Sequence, residues 1–126
     1  MKTHRMNRLA VLAAALLGSL VMAGPDWVEA AYSRTGSVWM VDRAAVATTT
    51  GRSPRLVARV RHDRPGQQPV EWVAHVDKAS CGGARGLVEL AGDAGTLTQV
   101  YARGDGSIAE ALASAICALP AAAVKR

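Results

Sequence analysis

Arg55-Leu56-Val57-Ala58-Arg59-Val60-Arg61-His62-Asp63 alternates in character along its length, and that alternation decides the fold class. Val57, Arg59 and Arg61 fall on one face of an extended chain; Leu56, Ala58, Val60 and His62 fall on the other. Successive strand side chains point to opposite sides, so a period of two marks a strand with one buried and one solvated face. After the turn-forming Arg64-Pro65-Gly66-Gln67-Gln68-Pro69, the pattern repeats over Val70 to Lys78. There Val70, Trp72, Ala74 and Val76 share one face, and Glu71, Val73, His75 and Asp77 the other.

Working outward, four more short strands appear. Trp27 to Tyr32 is the first. Ser33 to Gly36 carries turn chemistry, with Gly36 free to take positive φ. Ser37 to Asp42 is the second strand, rich in β-branched and aromatic residues, and Thr48 to Pro54 reads as a loop. Cys81-Gly82-Gly83-Ala84 breaks the alternation. Leu87 to Ala91 and Leu97 to Arg103 are the last two strands, joined by Gly92-Asp93-Ala94-Gly95, which suits a hairpin turn. Strands of this kind, each half polar, argue for an antiparallel sheet with one solvated face.

Ser107 to Leu119 has a different period. Ile108, Leu112, Ala115, Ile116 and Leu119 recur at helical spacing. Ser107-Ile108-Ala109-Glu110 forms a capping box, with Ser107 as N-cap and Glu110 reaching back; Pro120 ends the helix. No other amphipathic segment is available to cover the sheet. The expected fold is therefore α+β: an antiparallel sheet of about six strands with one C-terminal helix packed on one face. The chain has no Phe, so Trp27, Trp39 and Trp72 are its bulkiest core candidates.

The N-terminal segment reads as a secretory signal. Lys2, Arg5 and Arg8 precede an uncharged run from Leu9 to Met22, and Val21-Met22-Ala23 offers small residues for cleavage before Gly24. A spanning helix needs about 20 apolar residues, and Pro25 and Asp26 stop this run short, so no membrane span is expected. The first cysteine is Cys81, which leaves no lipid-attachment site after the signal. The expected organisation is a signal peptide over 1–23, one domain over 24–119 and a disordered tail over 120–126. Export makes the protein periplasmic or secreted. It also removes three basic residues and no acidic one, lowering the net charge from +5 to about +2. The high whole-chain pI of 9.9 is then weak support for nucleic acid, and no nucleic-acid partner is expected.

Cys81 and Cys117 are the only cysteines. An oxidising compartment favours joining them; a free thiol, or a catalytic thiol at Cys81 partnered by His75, are the alternatives. At 100° per residue Cys117 lies off the apolar stripe and lines up with Ala109 and Ala113. A bridge thus needs the alanine flank to face the sheet, or the last turn to unwind.

His62 and His75 lie in no spacing that zinc uses, so no metal or cofactor is expected. Glu71, His75 and Asp77 read as a solvated strand face. Arg52, Arg55, Arg59, Arg61 and Arg64 form the one charge cluster, with Asp63 the only acid among them. Arginine pairs well with sulfate, phosphate and carboxylate, so the cluster is the candidate site for an anionic polysaccharide, a lipid headgroup or an acidic protein. The plainer reading is an edge strand kept soluble by its charges. Gly104-Asp105-Gly106 precedes a helix, but the capping box already uses those amides. No Ser/His/Asp order, phosphate loop or carboxylate pair stands out, and no enzyme is expected.

Taken in order, several segments resemble the surface-adhesin protein E-like domain of bacterial envelope proteins. Trp27 is similar to the tryptophan opening that family's first strand. Val38-Trp39-Met40-Val41-Asp42 resembles its aromatic strand ending in Asp, and Ala45-Val46 the apolar step that follows. Asp77 to Cys81 resembles the strand running into its first cysteine. Tyr101 through Cys117, with Gly106-Ser107, Glu110 and Leu112, resembles its closing helix and second cysteine. Ser80 departs from the Asp that usually precedes the first cysteine, Asp105 stands where a Pro would precede Gly106-Ser107, and the lipid anchor of adhesin-type members has no counterpart here. The resemblance implies a C-terminal helix held on an antiparallel sheet by a Cys81–Cys117 disulfide, and, for adhesin-type members, binding to host matrix proteins. The expected function is an exported, non-enzymatic binding or accessory module of the envelope. Its partner is a protein or anionic polymer, and it is a possible homodimer. An adhesin using the Arg-rich strand, or a small thiol-dependent enzyme, are the alternatives.

Overall fold

A computed structural model describes residues 24–119; the expected signal over 1–23 and the expected tail over 120–126, with Pro120, lie outside the described residues. The chain is α+β. Six strands run in sequence order: β1 (Trp27–Tyr32), β2 (Val38–Thr48), β3 (Arg55–Asp63), β4 (Val70–Asp77), β5 (Arg85–Gly92) and β6 (Gly95–Ala102). Each pairs antiparallel with the next, giving one meandering sheet of order β1-β2-β3-β4-β5-β6. A short 3-10 turn, Lys78–Gly82, follows β4, and one helix, α1 (Ile108–Ala118), closes the described chain.

The alternation along β3 and β4 does what strand geometry requires. Leu56, Ala58, Val60, Ala74 and Val76 are all buried, while Arg59, Arg61, Glu71 and His75 face the other way. Val41, Val88, Leu90 and Tyr101 extend the same apolar face across β2, β5 and β6, and Ala109, Leu112, Ala113 and Ile116 of α1 belong to the same buried cluster. The helix approaches every strand, from β1 to β6. A flat sheet of six strands is about 24 Å wide, and an eleven-residue helix only about 16 Å long. The sheet must therefore curl.

The buried stripe of α1 shares Leu112 and Ile116 with the expected one but is rotated from it. Ala109, Leu112, Ala113 and Ile116 are buried, whereas Ile108 is only half-buried. The helix is turned so that its alanine flank goes inward. Ile108 and Cys117 then lie about 90° to either side of the stripe. Small side chains let the helix backbone come close, and this rotation brings Cys117 to Cys81: the two form a disulfide with Cα atoms 5.6 Å apart.

Two further differences have local causes. β2 continues to Thr48, well past Asp42, because it bulges. Between the pairs Val41↔Val60 and Val46↔Ala58 it advances five residues against two on β3. Val41 and Asp42 are consecutive and both buried, so the alternation is lost at that point. The helix start is capped by Ser107, whose hydroxyl accepts from the Glu110 amide at 3.1 Å, but Glu110 reaches further back than a capping box. It accepts from the amides of Gly106 (3.0 Å) and Gly104, while the Ser107 amide donates to Asp105 Oδ1 at 2.8 Å.

The three tryptophans are half-buried rather than central. The largest fully buried side chains are Leu56, Leu112, Ile116 and four valines in the core, and one carboxylate outside it, Asp42.

Candidate functional site

Three places on the molecule hold the residues singled out from sequence. The first is the row of arginines along β3. Arg55, Arg59 and Arg61 share the face away from the core, as their spacing requires. Each meets a carboxylate. Arg59 lies 2.8 Å from Glu71 and 3.5 Å from Asp42, and its guanidinium sits 5.3 Å from the centre of the Trp27 ring. Arg61 holds Asp63 at 2.6 Å. Arg55 lies between Asp77 (3.4 Å) and Glu89 (3.2 Å). The hydrogen bond to Glu71 leads in holding the Arg59 pKa above its ordinary value. Arg52 and Arg64 are exposed and lie beyond opposite ends of β3, some 30 Å apart along a strand of that length. The five arginines are thus not one patch. Two are partnered across the sheet and Arg61 within its own strand, and the two unpaired among the described residues are far from each other.

Asp42 is the residue sequence reading passed over. It is 1% exposed. Its Oδ1 accepts from the amides of Asp26 and Ala44, both at 2.9 Å. A buried carboxylate is tolerated only when hydrogen-bonded or paired, and here two amides and Arg59 supply that. The same corner is tied a second time, by Arg43 to Asp26 at 2.7 Å. Plain alternation turns an Asp directly after Val41 outward, onto the arginine face, so no local signal marks its burial.

The second place is the disulfide. Cys81 is in the 3-10 turn and Cys117 in the last turn of α1, and neither is free. A cleft of about 360 Å³ runs beside it, lined by Ser80, Tyr101, Arg103, Glu110 and Ser114 as well as both cysteines. Arg103 donates to the carbonyls of Gly83 and Cys81, each at 3.0 Å, which fixes the turn carrying the bridge. Burial pushes the Tyr101 phenol above its usual pKa. His75 is not at this site. It sits on the opposite face of β4 from the core, 3.6 Å from Glu89, and burial followed by the nearby Arg55 charge holds its imidazole below the ordinary value.

The third place is the end of the sheet at the β1–β2 and β3–β4 turns. Trp39 and His62 face each other across β2 and β3 and stack, with ring centres 3.8 Å apart and planes 10° from parallel. Burial, then the Arg64 charge, lowers the His62 pKa, so the stacked imidazole is neutral near pH 7. A cleft of about 420 Å³ opens over this pair, lined also by the hydroxyls of Ser33, Thr35 and Ser37 and by Arg64. Ser33 Oγ lies 2.9 Å from Thr35 Oγ1 and 2.6 Å from Ser37 Oγ. On the far side of Trp39 and Ile108, an apolar pocket of about 140 Å³ is lined by Val88, Leu90, Leu97 and Leu112. The combination is an aromatic floor, a hydroxyl chain and one cation, with no carboxylate in the lining. Groups that can donate outnumber those that only accept, which suits a ligand rich in acceptors.

Among the described residues no group of three or more His, Cys, Asp or Glu is placed to hold a metal ion, and no helix is long and apolar enough to cross a membrane. No family model matches the chain, and no curated protein or solved structure matches it significantly.

Proposed function

We propose that the chain is an exported, non-enzymatic envelope protein of surface-adhesin E-like type, acting as a binding module. In this reading α1 lies as a cover over the apolar face of the sheet, held there by the disulfide, and ligand meets the protein at the Trp39–His62 cleft. The observation that carries the proposal is the Cys81–Cys117 bridge. Structural disulfides persist in oxidising compartments and brace small domains that bury limited cores, and the basic and apolar pattern over residues 1–23 supplies the route there. The cleft supports the binding role by its aromatic floor and donor groups.

The adhesin alternative, an anionic polymer bound along the Arg-rich strand, draws less support, because Arg55, Arg59 and Arg61 each face a carboxylate. A thiol-dependent reaction at Cys81 is not carried further, since both sulfurs are in one bond.

The test is the intact mass of the protein from a periplasmic fraction, alkylated without reduction. The expected species begins at Gly24, is two hydrogens light and carries no alkyl group. Two alkylated thiols, or a chain retaining its first residues in the cytoplasm, would overturn the reading.

A further inference from the structure

We propose that β6 is the pairing edge for a second copy of this chain, joined antiparallel about Thr98 so that one sheet continues through the dimer. The argument begins with which backbone groups β5 already uses. The Arg103 amide donates to the Ala84 carbonyl at 2.8 Å, in register with Arg85↔Ala102 and Gly86↔Tyr101. Residues along an antiparallel strand alternate between bonding inward and outward. Tyr101, Gln99 and Leu97 therefore bond to β5. The N–H and C=O groups of Thr96, Thr98, Val100 and Ala102 point away from it. Of these, the Ala102 amide is already taken by Asp105 Oδ2 at 2.9 Å. That leaves Thr96, Thr98 and Val100 as an evenly spaced set of open backbone groups at one end of the sheet.

Natural edges of this kind are blunted with charge, proline or a bulge. Gly95-Thr96-Leu97-Thr98-Gln99-Val100-Tyr101-Ala102 has no charged residue and no proline, and its pairing to β5 runs without a register shift. It is also exposed: Val100 is 76% and Leu97 44% accessible.

The occupant follows from self-complementarity. With Thr98 on a two-fold axis, Thr98 faces the partner's Thr98, and Thr96 faces the partner's Val100. That register alone engages all three open residues on both copies. It places threonine against threonine and threonine against valine, pairs that favour sheets. An uncharged strand meets its own copy without like-charge repulsion. The contact is an edge rather than a face, so the dimer is weak and dependent on concentration.

Sedimentation equilibrium of the oxidised protein, over two decades of concentration, tests this. The wild-type chain should show a monomer–dimer equilibrium. Thr98→Pro removes an N–H that β5 does not use, so it should weaken dimerisation at least about tenfold, the equivalent of one to two hydrogen bonds, with the melting temperature nearly kept. Thr98→Lys keeps every backbone group and sets like charges on the axis; it should weaken the dimer as well. Gln99→Pro removes a bond to β5 and should lower the melting temperature instead. A monomer at every concentration would overturn the proposal. So would a dimer whose affinity is unchanged in both Thr98 variants.

Discussion

The two edges of the sheet are built on opposite plans. β1 is closed. It shifts register between Glu29 and Ala31, and Asp42, Asp26 and Arg43 clamp its start to the bulge of β2. A bulge is one of the devices that keep an edge from pairing. β6 is regular, uncharged and exposed, and its tethers lie behind it: Tyr101 against Gly86, and the Cys81–Cys117 bridge beyond. An edge can thus be held firmly from within and still stay open outward. One edge is bulged and clamped to its neighbour; the other is regular and keeps its outward backbone groups available.

Breaking the tether on the β6 side should have the largest effect. Cys81→Ser with Cys117→Ser, or reduction, frees a loop of 36 residues' separation. On the chain-entropy account this lowers stability by roughly 3–4 kcal/mol, measured by denaturant melts with and without reductant. Removing the clamp on the β1 side should come next. Asp42→Ala leaves the Asp26 and Ala44 amides without their acceptor and Arg59 without a buried partner, for a loss of about 2–3 kcal/mol. Hydrogen exchange should then rise in β1 and the β2 bulge while β5 and β6 keep their protection. Gly86→Ala is smaller. An added Cβ would come within 3 Å of the Tyr101 hydroxyl and ring edge, so the ring must shift at a cost of about 1–3 kcal/mol; loss of Tyr101 burial would appear in near-UV dichroism. The smallest effect is that of acid. His62 and His75 both have pKa values lowered from 6.5, so the unfolded chain binds protons that the folded one resists. The stability they support is present above pH 6.5 and is lost as pH falls through the folded values. A His62→Gln variant should show a flatter stability profile below that pH.

Much of the strand pattern was legible because it rests on local alternation. β3 keeps the bounds Arg55–Asp63 read from its pattern, and the turn at Gly36 takes the expected positive φ of 90°. What stayed hidden depends on register and rotation. The stripe of α1 could not be fixed because alanine and isoleucine both suit an apolar face; the bridge to Cys81 goes with the alanine choice. The end of β2 was missed because its bulge abolishes the period used to see strands. Most of the arginine row looked free in the sequence because the partners of Arg55 and Arg59, namely Glu71, Asp77 and Glu89, belong to other strands; only Asp63, beside Arg61, is local. Glu71 lies opposite Arg61, yet Arg59 takes it diagonally. The Trp39–His62 stack likewise needs β2 and β3 in register, and residues 23 apart give no local hint of it.

The meander has a consequence for how the molecule assembles. Each strand's partner is the next one along, so pairing can pass from hairpin to hairpin with short loops to close at each step, and low contact order of this kind favours fast folding. The helical side chains that join the buried cluster come last, after Ser107. A chain emerging from its N-terminus therefore completes its sheet while one apolar face is still wet. The closing residues, Ile108 to Ala118, decide whether that intermediate becomes a stable protein or an aggregation-prone one.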